Sequence, residues 1–417
     1  MRSAPVVIVG AGLAGLCCAL RLAEAGRELL LIEAGDGVGG RVRTDEVDGF
    51  LLDRGFQVLL TAYPECRRAL DYEALELRSF LPGALVRADG RFHELADPFR
   101  RPAAGLRSAF APVGTLGDKL RVARLRLRLA GRPVAGLLAE PETTTLERLR
   151  SEGFSAGMID RFFRPFYGGV FLERELATSS RMFAFLFRMF ATGDTAVPAD
   201  GMAEIPRQLA AGLPPRSIRR GTRVGEVAPG RGTGEGGETI AAEEVVVATS
   251  GAAARGLLGA AAGTERFHGV TCFYFAASEP PVEGPHLVLD GEGTGPVNNL
   301  HVVSEVSEKA APPGAALISA TVVGGAAGQE AETAVRRQLS GWFGAQVDRW
   351  RRLAVYRIPE ALPAQPPGVL EPAERPVRLP NGLFVCGDHR ENGSIHGAMR
   401  SGRRAAEALL EEPGALP

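Results

Sequence analysis

Four β-branched residues, Val6 to Val9, run straight into Gly10-Ala11-Gly12-Leu13-Ala14-Gly15. A helical pattern follows through Ala25, Gly26 stops it, and a second apolar strand, Glu28 to Ile32, ends on Glu33. Strand, glycines, helix, second strand and terminal acid in this order predict a βαβ unit of the dinucleotide-binding kind. Gly10 permits the tight turn from strand to helix, Gly12 lets the backbone approach a pyrophosphate, and Gly15 lets helix and sheet pack closely. The phosphates then lie against the free N–H groups around Ala11 and Ala14, at the positive end of the helix dipole. Glu33 and the adjoining Ala34 fall where a carboxylate would accept hydrogen bonds from ribose hydroxyls.

The next stretch narrows the cofactor. Gly37-Val38-Gly39-Gly40-Arg41-Val42-Arg43-Thr44 adds a second close backbone approach, at Gly39 and Gly40. Arg41 supplies a cation for the pyrophosphate. With this run the chain resembles the flavoprotein superfamily that includes amine oxidases, protoporphyrinogen oxidases, phytoene-type desaturases and UDP-galactopyranose mutases. That resemblance implies FAD rather than a nicotinamide nucleotide. It also implies an α/β fold in which an FAD-binding Rossmann-like (GR2-type) domain carries an inserted α+β substrate domain. The substrate domain would comprise a mixed antiparallel sheet and a helical subdomain. The expected division is 1–70, 215–265 and 376–417 for FAD, and 71–214 with 266–375 for substrate.

At 417 residues the chain can bury a large core. A net charge of −1 with 45% apolar residues argues against a nucleic-acid partner. Five cysteines without ligand spacing predict neither a disulfide framework nor a metal site. The βαβ unit begins at Pro5 and no apolar run reaches the length of a membrane span, so a cytoplasmic protein is expected.

Residues 45–60 read as a hairpin, and Asp53 with Gly55 resembles an element that closes the flavin pocket in the superfamily; a simple turn carboxylate is an equal reading. Residues 84–95 read as a second hairpin. From 97 to 138 the chain is helical and rich in arginine. Arg121, Arg124 and Arg128 share one helical face, and Leu116, Leu120, Ala123 and Leu127 share another. The favoured reading is a solvated arginine face over a core stripe; the alternative is a peripheral membrane-surface contact. Eight of the twenty phenylalanines then fall between Phe162 and Phe190, a density suited to lining an apolar substrate cavity. Phe166, Tyr167, Phe171 and Phe187 are the expected wall residues, and Tyr167-Gly168-Gly169-Val170-Phe171 matches a motif of the desaturase-like relatives.

Residues 218–227 and 244–249 read as strands returning to the nucleotide domain, joined by a glycine-rich turn at 228–237. The resemblance places Val224, after Thr222-Arg223, against the adenine. Patterns at 270–277, 285–290, 297–304 and 315–323 suggest the substrate-domain sheet, followed by a helix, 330–343, and a strand, 348–356. At the far end, 382–388 reads as a strand ending in Gly387-Asp388, followed by a loop and a helix from about His396. In relatives this Gly-Asp/Glu holds the ribityl-phosphate region, and Ser394 and Ile395 lie at the flavin edge. A helix N-terminus there would stabilise the negative charge of reduced flavin.

Amine oxidases of the superfamily usually place a lysine near flavin N5 and build an aromatic cage from two positions. The matching strand here, 269–275, has no lysine, and the cage positions are Phe384 and Ser394. Both departures favour dehydrogenation of a small apolar substrate, with hydride passing to flavin. The alternatives are an amine or amino-acid oxidase releasing peroxide, and a flavin-dependent isomerase without net redox change. If a proton must leave, His396 and Tyr274 are the catalytic candidates near the ring.

Overall fold

The strand Val6–Val9 pairs in parallel with Leu29–Ile32 on one side and Val245–Val247 on the other. Ile218–Arg219 and Phe384–Val385 complete a five-stranded parallel sheet, seen in a computed structural model that describes residues 5–260, 262, 266–325 and 328–411. Its central strands are apolar at every position because both faces are covered. Leu13–Glu24 and the last helix, Ile395–Leu410, pack side by side. A Cβ on Gly402 would lie 2.0 Å from the Ala14 carbonyl oxygen, and one on Gly15 would lie 1.9 Å from that of Gly10. Missing side chains at these two points set how closely helices and sheet approach.

A seven-stranded sheet forms the second body, in the order Arg351–Pro363, Phe267–Ala277, Ala316–Val323, Val297–Val302, Leu287–Asp290, Gly83–Ala88 and Arg91–Ala96. Every neighbouring pair is antiparallel except Leu287–Asp290 with Gly83–Ala88. Phe273, Phe275 and Leu300 face the helix Gln329–Phe343, which contributes Val335, Leu339 and Trp342. Val270, Cys272 and Tyr274 point the other way, onto Phe50 and Leu52 of the hairpin Thr44–Val47/Phe50–Asp53. The alternation is the period-two signature of strand packing.

Some sequence expectations are corrected here. Val224–Ala228 does not join the nucleotide sheet; it pairs with Arg231–Gly234 and Thr239–Ala241 in a separate ribbon, so the glycine-rich turn is itself partly strand. The strand expected at 348–356 begins at Arg351 and runs on to Pro363. The helix Leu116–Ala130 does not use its leucine row as a core stripe. Leu116, Leu120 and Leu127 are 60%, 71% and 70% exposed. Asp118, Leu125 and Leu129, on the opposite side at roughly 100° per residue, are the buried positions. Asp118 takes that place because its carboxylate accepts hydrogen bonds from the Thr115 and Ser155 N–H groups and hydroxyls, which satisfies it in the interior.

The helix–helix approach gives a stability test. Gly402→Leu should cost about 1–3 kcal/mol or more through overpacking against Ala14, read as a lowered thermal midpoint and loss of the cofactor.

Candidate cofactor and substrate site

A cavity of about 940 Å³ runs between the two sheets. One end lies over the glycine turn. Gly12, the residue before the first helix, has no capping side chain, and a Cβ added to it would meet no atom within 4 Å. The helix therefore presents unfilled N–H groups to open space, the arrangement that binds a pyrophosphate. Gly39 holds a φ of +110°, and its Cβ would lie 2.3 Å from the Val42 carbonyl oxygen, so a side chain there is excluded. At the nucleoside end, the Glu33 carboxylate accepts from the Ala11 and Gly35 N–H groups at 2.8 and 2.7 Å, with Val224 and Ala34 beside it on the wall.

The two halves of the wall come from opposite ends of the chain. Arg41 donates to Asp388 at 2.6 Å and to the Ala361 carbonyl at 2.8 Å. Burial pushes the Asp388 carboxyl up, but Arg41 and the adjacent His389 more than offset it and hold it at about 2. Gly387, Ser394 and Ile395 line the same stretch, and Ser394 caps the last helix by accepting from the Gly397 N–H at 3.0 Å.

Of the fifteen residues expected to bind cofactor, thirteen line this cavity; Ala11 and Gly15 lie beneath it, Gly15 in the helix–sheet contact. The substrate side is different. Phe166, Tyr167, Phe171, Phe187 and Phe384 do not line the cavity. Tyr167, Phe171 and Phe384 are buried in the core, and Phe166 and Phe187 pack against it. Tyr167 alone meets Phe163, Phe166, Phe171 and Phe183 at ring-centroid distances of 5.0–6.3 Å. The helix Arg164–Phe171 turns its aromatic residues inward and gives the cavity Gly169 and Val170 instead. Leu172, Leu186 and Phe190 continue that wall, with Phe56, Val58, Leu60, Tyr63, Val270, Ile358 and Leu362 opposite or beside them. Sequence reasoning missed these. Phe56 to Leu60 directly follow the Asp53-Gly55 element, the one sequence signal that points to them.

Neither catalytic candidate reaches the wall. His396 is buried, stacks on Tyr63 at 5.8 Å and accepts from the Glu65 N–H at 3.2 Å. Burial, with Arg400 and Arg403 nearby, pushes its imidazole down to about 4, so it is neutral and holds two segments together. Tyr274 donates to the Asp53 carbonyl at 2.8 Å and faces a second, smaller cavity. Asp53 is more than a turn residue: its Oδ1 accepts from the Thr44 hydroxyl at 2.6 Å and the Met202 N–H at 2.9 Å.

A cavity of this volume, lined by the starts of two helices, the Glu33 carboxylate and Arg41, fits FAD. Gly10, Gly12, Ala14, Glu33, Gly39–Arg41, Val224, Gly387, Asp388 and Ile395 would hold it. Fold and site together define a protein of the flavin-dinucleotide-binding class.

Residues 13–410 match the model of the flavin containing amine oxidoreductase family, and the chain belongs to that family. It is 42% identical over 78 residues to an L-amino-acid oxidase of Pseudechis australis, covering 18% of this chain and 15% of that protein. It is 31% identical over 223 residues to a probable zeta-carotene desaturase of Synechococcus elongatus, covering 49% and 45%. The chain thus spans less than half the length of these curated relatives. A putrescine oxidase structure bound to putrescine superposes with a TM-score of 0.70 at 17% identity, over 98% of this chain and 99% of that one, which shows the shared fold.

Gly12→Val separates folding from binding. The added Cβ meets no protein atom within 4 Å, so the variant should melt within about a degree or two of the flavin-free parent yet purify without flavin absorbance, because the branched group occupies the phosphate position.

Proposed function

We propose that the chain dehydrogenates a small apolar substrate, as a desaturase or protoporphyrinogen-type oxidase does, rather than oxidising an amine. The observation that carries this is the composition of the substrate half of the cavity. Gly169, Val170, Leu172, Leu186, Phe190, Val270, Ile358 and Leu362 present no charge. Neither lysine of the chain, Lys119 nor Lys309, lines it, and Phe384 lies in the core rather than on the cavity wall. Bound flavin supplies a two-electron acceptor. The protein's part is to exclude water and hold the reacting C–H bond in position, which alone can supply much of the rate.

The purified protein should be yellow and should release no peroxide with putrescine or L-amino acids. Leu186→Glu should keep the flavin spectrum and lower kcat/KM for an apolar hydrogen donor at least about tenfold, since a carboxylate buried without a partner costs several kcal/mol. Peroxide formation with amines would overturn the reading in favour of an amine oxidase.

The same reading gains a partner from the surface. Phe99, Leu106, Phe110, Leu116, Leu120 and Leu127 are exposed large hydrophobic residues within one short stretch. Arg107, Arg121, Arg124 and Arg128 are exposed among them. No helix among the described residues is long and apolar enough to cross a membrane, whereas an apolar face flanked by arginines suits the surface of an anionic bilayer. Co-sedimentation should show binding to vesicles containing phosphatidylserine, weakened by salt and abolished in Leu116→Asp/Leu120→Asp.

A further inference from the structure

Behind the cofactor cavity lies a second space of about 20 Å³, room for one water molecule. Gly55, Phe56 and Gln57 are common to the walls of both cavities. The small one is otherwise lined by Asp53, Tyr274, His301 and Ser307 among apolar groups. Three adjacent strands build its floor. Tyr274 pairs with Ser319 and Ser319 pairs with His301, so the three side chains form a row on one face of the sheet. His301 is 6% exposed, its ring lies against Phe56 at 4.8 Å and Phe80 at 5.6 Å, and its Nδ1 has no hydrogen-bond partner among the described residues. Gln57 uses its amide N–H groups on the Arg41 and Arg54 carbonyls, which leaves its buried Oε1 likewise without a partner. Two orphaned buried polar atoms on the walls of a water-sized space call for a water molecule to satisfy them.

Dehydrogenation releases a proton as well as a hydride. The titratable groups on the large cavity's wall are Glu33, Arg41, Arg54, Tyr63, Arg223, Glu235 and Asp388. Glu33 holds the glycine turn, Asp388 is paired with Arg41, and Glu235 lies against Arg223 on the ribbon at the nucleoside end. None of the three carboxylates belongs to the apolar substrate wall. The Asp53 carboxyl lies one layer behind Phe56 and Gln57 on the wall of the small cavity, whereas Glu173, next to the wall residue Leu172, accepts from the Thr178 N–H and hydroxyl.

We infer that Asp53 is the proton acceptor of the oxidation, reached through a water held in the small cavity by His301 and Gln57. The inference rests on the dehydrogenase reading above. With FAD bound, the flavin would accept the substrate's C–H hydrogen and electron pair as hydride. The neighbouring C–H or N–H bond then gives its electron pair to the new π bond, and its proton crosses the Gly55–Gln57 segment common to both cavities to the water oxygen, which passes one proton on to Asp53. The substrate would lose two hydrogens, one as hydride to the flavin and one as a proton to Asp53.

Burial, opposed by the donors Thr44 and Met202, pushes the Asp53 carboxyl up to about 6, suited to taking a proton near neutrality. Burial pushes His301 down to about 3, so it stays neutral and positions the water. The other titratable groups facing the site are Tyr274, Cys272 and Tyr356 from the sheet; Arg54, the nearest cation on the hairpin, is turned to Asp45. Lys309, beside the lining residue Ala310, is held outside by Asp200 and Glu76.

Proton uptake on two-electron photoreduction of the FAD-loaded protein, followed with an indicator dye from pH 5 to 8, tests this. The parent should take up as much as one more proton than Asp53→Asn above pH 6, and no more at pH 5; superimposable curves overturn the inference. Infrared titration of the flavin-free protein is independent of the cofactor. A protonated-carboxyl band should fade near pH 6, and its absence from the parent at pH 5 overturns the assignment even if Asp53→Asn fails to fold. His301→Phe, which removes the water's acceptor, should raise that midpoint by at least half a unit; an unmoved midpoint overturns the role of His301. A protein that refuses FAD yet shows the band would refute the family chemistry and leave the acid site standing.

Discussion

The ion pair between Arg41 and Asp388 ties the cofactor half of the molecule together. It joins the glycine-rich N-terminal segment to the strand–helix turn near the other end of the chain. Through the Ala361 carbonyl it also reaches the longest strand of the substrate sheet. Asp388 is 6% exposed, so removing Arg41 would leave a buried carboxylate without its cation, a loss of several kcal/mol. The apolar side of the same closure is the approach of the first and last helices at Gly402 and Ala14. Polar link and close packing together bring two helix N-termini onto one cavity, and the flavin site follows from that geometry.

What could be read from the sequence divides along physical lines. The glycines, Glu33, Arg41 and Gly387-Asp388 are legible because backbone geometry and phosphate chemistry leave few residue types able to do their work. Thirteen of the fifteen expected contacts accordingly lie on the cavity wall. Aromatic density carries no such direction. Tyr167 and Phe171 are as apolar as Val170, and which of them faces the cavity depends on the rotation of the helix against the sheet. The arginine-rich helix failed for a related reason: its leucine row has regular helical spacing, but Asp118 is satisfied in the core by Thr115 and Ser155, and that turns the row outward. A buried acid with four donors was invisible to hydrophobic periodicity.

The hairpin that carries Asp53 shows how one short segment serves both bodies. Phe50 and Leu52 pack on the substrate sheet, Thr44 and Asp53 fix the turn before the helix Glu204–Ala211, and Phe56 to Leu60 form cavity wall. His301 escaped notice in the sequence because a lone histidine in an apolar strand has no motif around it. Its neighbours Ser319 and Tyr274 come from two other strands of the sheet and meet it through register alone.

The five-stranded sheet draws its strands from residues near 6, 29, 218, 245 and 384, and that has a consequence for biosynthesis. The central pair can form early, but the edge strand Phe384–Val385 and the helix that seals the cavity leave the ribosome long after it. Contacts of such long sequence separation form slowly, and until they form, the apolar faces of the first helix and sheet remain uncovered. The cavity wall is therefore complete only once Gly387 to Ala398 are in place, and a nascent chain stalled before residue 384 would present a chaperone with the hydrophobic surface that the finished fold hides.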